Sequence, residues 1–203
     1  QILSDDEIKS LLGSVLVDAE EGYVRPNSIE LRLGKEVRFL STRETRSLEE
    51  GDYLKVHPSE TVTICSYERI DFRAETVHEV FPESMLMGLI TPTTTMMREG
   101  IAQVATKVDA GFHGDLNWSL RNGSTNEIVI GFGEPLFKLT IFRLENSEVP
   151  SVPYGEGKRD SYHESEGIVR SKRTIPVDIP EGKLVESGFA DLDPDVQLRQ
   201  AGH

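Results

Sequence analysis

The sequence predicts a mainly β fold, a distorted antiparallel barrel or jelly-roll-like sandwich with one short helix at its N-terminus. Three observations predict it. Short runs alternating apolar and polar residues recur along the chain, turn-forming clusters separate them, and neither strand–helix alternation nor a glycine-rich phosphate loop accompanies them. At 203 residues with 37% hydrophobic content, the chain is long and apolar enough to bury a core.

The elements follow in order. Residues 3–12 read as a capped helix: Ser4 is a good N-cap, Glu7 completes a capping box, acids fill the first turn and Gly13 stops it. Leu3 with Ile8, and Leu11 with Leu12, supply its apolar face. Period-two strands are then expected over 28–33, 37–40, 61–65, 85–90, 116–120, 127–130 and 136–142. Glu50-Gly51-Asp52, His57-Pro58-Ser59, Phe81-Pro82-Glu83, Asn122-Gly123-Ser124 and Gly133-Glu134-Pro135 supply turns between them. Large apolar residues thin out after Ile175, so residues 1–175 are expected to form the domain and 176–203 an acidic C-terminal extension.

Composition excludes several functions. With 22 Lys+Arg against 35 Asp+Glu, the net charge of −13 argues against nonspecific nucleic-acid binding. The longest uncharged central run, 85–97, is 13 residues with four Thr, too short and polar to span a bilayer. A single cysteine, Cys65, excludes an intramolecular disulfide and a Cys-based zinc site, and its strand context suggests a small buried side chain. No secretory leader pattern precedes the helix, so a soluble cytoplasmic protein is the expectation. Residues 167–173 carry three cations and no acid, a focused basic stretch in an acidic chain.

Chemistry concentrates in three segments. In Asp109-Ala-Gly-Phe-His-Gly114, Gly111 and Gly114 permit a tight turn with positive φ. A carboxylate there, at the mouth of a β-hairpin, can deprotonate a water or bond a sugar hydroxyl, and Phe112 offers a flat apolar face; a plain hairpin is the alternative. Upstream, Thr93, Thr94, Thr95 and Arg98 suit phosphate oxygens. Downstream, Tyr154 and Tyr162 precede Arg170, Lys172 and Arg173, a segment able to close over a nucleotide and exclude water. His113 is expected at an exposed hairpin tip, His57, His78 and His163 show no metal spacing, and Trp118 is expected in the core or at a subunit contact.

In this order the segments resemble the family of dCTP deaminases and dUTPases, most closely its dCTP deaminase branch, from Ile2 to about Arg173. The resemblance rests on Leu3-Ser-Asp, on residues 26–34, on Arg98-Glu-Gly100, on residues 109–114, and on the stretch from Tyr154 through Tyr162 to Gly167. It implies the dUTPase-like barrel and a homotrimer with sites at subunit interfaces. Each site would take a deoxypyrimidine nucleoside triphosphate carrying Mg²⁺ on its phosphates. Three departures bear on activity. Pro92-Thr93-Thr94-Thr95 stands where the family usually has Gly-Arg-Ser-Ser, Ser119 where deaminases carry a proton-shuttling Glu, and Ser161 and Ser165 where they have Lys and Gln. Asp109 persists, and in the dUTPase branch the matching Asp activates the water that attacks the α-phosphate. The resemblance therefore implies a dUTP diphosphatase with Asp109 catalytic. Thr93, Thr94, Thr95, Arg98, Gly111, Phe112, Tyr154, Tyr162, Arg170, Lys172 and Arg173 would bind substrate. The alternatives are a dCTP deaminase in which Asp115 replaces the missing Glu, and a non-catalytic nucleotide-binding or structural trimer.

Overall fold

The N-terminal helix forms as α1 (Asp5–Lys9), and both halves of its capping box are made. Glu7 Oε2 accepts from Ser4 N at 2.8 Å, while Ser4 Oγ accepts from Glu7 N. Ser10 already caps it, so Leu11 and Leu12 lie in the turn beyond. Leu3, Ile8 and Leu11 are fully buried. The computed structural model describes residues 1–102, 106–145, 148–156, 162, 164 and 166–169.

Strands dominate the rest. In chain order they are β1 (Leu16–Val17), β2 (Val24–Arg25), β3 (Ser28–Phe39), β4 (Thr45–Ser47), β5 (Tyr53–Val56) and β6 (Thr61–Asp71). After the short helix α2 (Ala74–Val77) comes β7 (Ser84–Pro92), then α3 (Thr94–Arg98). β8 (Ile101–Ala102), β9 (Thr106–Val108), β10 (His113–Asn122), β11 (Ile128–Gly131) and β12 (Pro135–Glu145) complete the described elements. The two strands expected over 28–33 and 37–40 are one, β3, continuous through an irregularity between Leu33 and Val37. Gly34 sits in that irregularity because a Cβ there would run into the Ser66 backbone.

Among the described residues every strand-to-strand pairing is antiparallel, and the main sheet runs β8–β10–β6–β3–β12–β7–β9, with β1 on β6 and β2 and β4 on β3; β5 and β11 form a separate ribbon. This order forces curvature. β9 and β10 stand five places apart in the sheet, about 24 Å at ~4.8 Å per strand. Only residues 109–112 join them, and five Cα steps reach no more than about 18 Å. The sheet curls until its ends approach, giving the expected antiparallel barrel in half-closed form. Its concave side holds the core, where Trp118 meets Phe137 edge-on at 4.9 Å.

One charged cluster is buried. Arg32 Nε bonds Glu68 Oε1 at 2.5 Å, its other nitrogens reach Glu20 and the Asp18 carbonyl, and its guanidinium lies against the Tyr23 and Tyr67 rings. Burial pushes the Glu68 carboxyl up, and the Arg32 guanidinium opposes that rise. Among the described residues no helix is long and apolar enough to cross a membrane. The chain divides into Gln1–Val169 and Arg170–His203, and the expected border at 175/176 lies outside the described residues.

Candidate functional site

The segment carrying Asp109 is not the hairpin expected from its glycines. β9 bonds to β7, pairing Thr106 with Ile90 and Val108 with Gly88, whereas β10 pairs with β6 and β8. Residues 109–112 are thus a corner joining opposite ends of the curled sheet, which local turn signals do not distinguish from a hairpin. The positive φ expected of its glycines is present, +94° at Gly111 and +141° at Gly114. Phe112 N donates to Asp109 O, Gly111 N to Phe72 O, and Phe72 N to Phe112 O, which pins the corner to the end of β6. Asp109 projects half-exposed, with Oδ1 2.5 Å from Lys107 Nζ. Both line a shallow pocket of about 370 Å³ whose other walls include Met87, Leu144, Val152 and Tyr154.

Tyr154 packs on this corner. Its N–H donates to Ala110 O at 2.7 Å and its ring tilts against Phe112, 5.9 Å between centroids, so the Phe112 ring already carries an aromatic neighbour. A Cβ on Gly111 would lie 2.5 Å from Tyr154 O, which makes glycine a packing requirement here. Tyr154 Oη accepts from Tyr162 N at 2.8 Å. The structure therefore brings Asp109, Gly111, Phe112, Tyr154 and Tyr162 together. Arg170, Lys172, Arg173, Ser161 and Ser165 lie outside the described residues. His113 opens β10 half-buried rather than at an exposed tip.

Beyond Tyr162 the chain is strapped to the outward face of β10. Glu164 N donates to His113 O, and Gly167 N to Asp115 Oδ2 at 2.8 Å. Asn117 grips the strap twice, donating to Gly167 O at 2.9 Å and accepting from Val169 N at 2.9 Å. Ile168 N donates to Glu36 Oε2 at 2.8 Å. Glu36 and Asn117 are clamp residues that sequence reasoning missed. The polar alternation Asp115, Asn117, Ser119, Arg121 was a usable signal; Glu36 had none, because its partner is 132 residues away. Cys65, the register partner of Asn117, belongs to this outward row yet is fully buried, and it lies between the two clamp residues with Sγ near Glu36 O. Strap bonds to Glu36 and Asn117 thus flank it, and burial pushes its thiol pKa up.

The candidate acids sort clearly. Asp115 faces outward like Ser119, but its carboxylate holds the strap. Ser119 Oγ lies 2.8 Å from Thr63 Oγ1, a hydroxyl beside a hydroxyl with no base on that bond. Burial pushes the Asp71 carboxyl up, but Arg73, bonding both its oxygens, and Thr76 outweigh this and leave it below the ordinary range.

The phosphate-type residues lie elsewhere in the same chain. Residues 94–98 form α3, a helix not expected from the sequence. Thr93 caps it, buried, with Oγ1 accepting from Met96 N at 3.3 Å; Thr94, Thr95 and Arg98 are exposed. Asp109 lies beside Met87, and the six residues of β7 from there to Thr93 span about 20 Å at ~3.3 Å each. One chain does not bring the two groups together. Among the described residues no cluster of three or more His, Cys, Asp or Glu side chains can hold a metal ion.

Comparisons with known proteins bear on this arrangement. A family model described as dCTP deaminase-like matches residues 2–144. A probable deoxyuridine 5'-triphosphate nucleotidohydrolase of Sulfolobus islandicus rod-shaped virus 1 is 26% identical over 174 residues, covering 84% of this chain and 98% of that protein. The dCTP deaminase of Pyrococcus abyssi is 28% identical over 154 residues, 76% of this chain and 88% of the relative. The solved 2'-deoxycytidine 5'-triphosphate deaminase from Agrobacterium tumefaciens shares the fold, with a TM-score of 0.55 at 20% identity over 70% of this chain. The chain spans about half of that structure, 48% of its length.

Proposed function

This chain belongs to the dCTP deaminase-like family, and within it we propose a dUTP diphosphatase, converting dUTP to dUMP and pyrophosphate. One observation carries the reading. Asp109, paired with Lys107, lines an accessible pocket at the β9–β10 corner, with Glu148 as a second acid on its wall, whereas the β10 position that would serve deamination is Ser119, bonded to Thr63. A hydroxyl so placed is a poor proton shuttle, while a carboxylate can take a proton from water. Asp109 deprotonates a water whose oxygen attacks the α-phosphorus; the bond to the bridging oxygen breaks and pyrophosphate leaves. Thr94, Thr95 and Arg98 hold phosphate oxygens, with Thr93 setting their helix. Gly111 lets Tyr154 close on Phe112 beside the sugar, Tyr162 secures Tyr154, and Arg170, Lys172 and Arg173 add charge from the C-terminal segment.

The roughly 20 Å of β7 between Met87, beside Asp109, and Thr93 supports a site completed by two copies, as in a homotrimer with interfacial sites. Mg²⁺ would come with the triphosphate, held by its phosphate oxygens, and would supply neutralisation of their charge. Residues 1–175 form the nucleotide-binding domain and 176–203 the acidic extension, in a cytoplasmic enzyme. The test is incubation with Mg²⁺ and either dUTP or dCTP, following pyrophosphate and ammonia together. Pyrophosphate from dUTP without ammonia from dCTP is expected. Ammonia from dCTP would instead make the chain a deaminase, and binding without product a non-catalytic trimer.

A further inference from the structure

The outward row of β10 runs on past the strap to Ser119 and Arg121, which the site above leaves unused. Register places Arg38 of β3 opposite Thr63 of β6, Thr63 opposite Ser119, and Thr61 opposite Arg121. Three adjacent strands thus present two arginines around a pair of hydroxyls. The two arginine Cα atoms are about 12 Å apart, two strands across and two residues along, which lets extended side chains converge above Thr63 and Ser119. Ser119 and Arg121 are exposed, and Arg38, Thr61 and Thr63 half-exposed.

Charge distinguishes this patch from an ordinary polar face. Neither guanidinium has an ion-pair partner among the described residues, and Arg38 reaches only Thr45 Oγ1, at 3.4 Å. Nearby carboxylates are engaged elsewhere: Glu36 and Asp115 hold the strap, Glu44 pairs with Arg46, and Glu60 accepts from His57 N. A chain of net charge −13 therefore leaves two cations uncompensated side by side. Thr63 and Ser119 share one hydrogen bond between two hydroxyls, so one proton remains to donate. Planar guanidinium forks with a hydroxyl donor between them match the oxygens of a phosphate.

We infer that Arg38, Arg121, Thr63 and Ser119 form an oxyanion site for a phosphate group, separate from Asp109 and α3. The occupant is inorganic phosphate or the phosphate of a monoester, and the site stands whether or not the chain hydrolyses dUTP.

The test titrates the full ¹⁵N-labelled chain with inorganic phosphate, reading the arginine Nε–Hε signals and requiring no turnover. Saturable shifts at Arg38 and Arg121 are expected. Arg38→Ala and Arg121→Ala should each weaken binding at least tenfold. Arg121→Lys, which keeps the charge but loses the fork, should fall between wild type and Arg121→Ala. Arg98→Ala should leave these shifts within twofold. A parallel titration with dUMP separates the sources: tighter binding than phosphate identifies the nucleotide ester, and equal binding the free ion. The site is refuted if the two arginine signals do not move, if both alanine variants bind phosphate as wild type does, or if Arg98→Ala alone abolishes the shifts.

Discussion

Gly167→Ala tests the strap where it is most constrained. Gly167 has φ +64°, and a Cβ there would lie 2.5 Å from Glu36 Oε2, the acceptor for Ile168 N. The left-handed conformation costs a non-glycine residue about 1–2 kcal/mol. Moving Glu36 away also removes a hydrogen bond to a charged acceptor, roughly 1.5–3 kcal/mol. Against this, the bonds to the Asp115 and Glu36 carboxylates contribute roughly 1.5–3 kcal/mol each and the two to the Asn117 amide about 1 kcal/mol each, and ordering three residues costs ~1–2 kcal/mol apiece. Docking is therefore favoured by only about 2 kcal/mol, leaving a few per cent open, and a penalty of at least about 2.5 kcal/mol makes the open form predominate. Cys65, the chain's one cysteine, reports the outcome directly. Reaction with a chromogenic disulfide reagent should be slow in the native wild type and at least tenfold faster in Gly167→Ala, while the thermal midpoint of the barrel hardly moves. A labelling rate equal to wild type would refute the reasoning, because the strap would not then be what covers the thiol.

Other expectations follow from the same geometry. Asp109→Asn should lower pyrophosphate release from dUTP by about 10²–10⁴-fold, the usual worth of a general base, with binding of a non-hydrolysable analogue preserved. Refolding an Asp109→Asn chain together with an equal amount of an Arg98→Ala chain should restore roughly a quarter of the sites, since each draws one residue from each of two symmetric subunits; no recovery would mean that both residues act from one chain. Glu68→Ala should cost about 3–5 kcal/mol in urea unfolding, because it strands the buried Arg32. Acid should destabilise the barrel at identifiable sites. The Ser4 backbone bond holds Glu7 below its ordinary 4.5, and bonds from Arg73 and Thr76 outweigh burial to hold Asp71 below its ordinary 3.8. Both folded-state values are depressed, so their stabilisation is complete above the ordinary values and lost as pH falls through the lowered ones. Asp71→Asn should flatten that acid limb in thermal melts.

What could be read from sequence depended on the distance over which each signal acts. The capping box at Ser4 and Glu7 spans three residues, and it forms as expected. Period-two alternation located β6, β7, β10, β11 and β12, because a half-buried strand writes its own burial into its side chains. Where two local structures share one signal, the reading failed. Thr93 followed by Thr-Thr-Met-Met-Arg suits both a phosphate loop and a capped turn of helix, and the helix prevails because Met96 is buried. Gly111 and Gly114 satisfy a hairpin and a corner equally, and only the strand order decides between them.

The same reasoning explains why Asp109 was legible as a candidate while its surroundings were not. A carboxylate flanked by turn glycines is a local pattern, but the groups that make it useful are not local. Tyr154 reaches it through a backbone approach that only Gly111 admits, and the strap beyond Tyr162 is fastened by Glu36, which neighbours β10 only because β6 lies between them. The helix that carries Arg98 begins about 20 Å along β7 from Met87, the neighbour of Asp109, so closeness of motifs along the sequence does not tell which of them meet in space. Curling the sheet brings β9 and β10 to the corner, and it is this curvature, set by strand order rather than by any motif, that determines which outward rows remain open to a ligand.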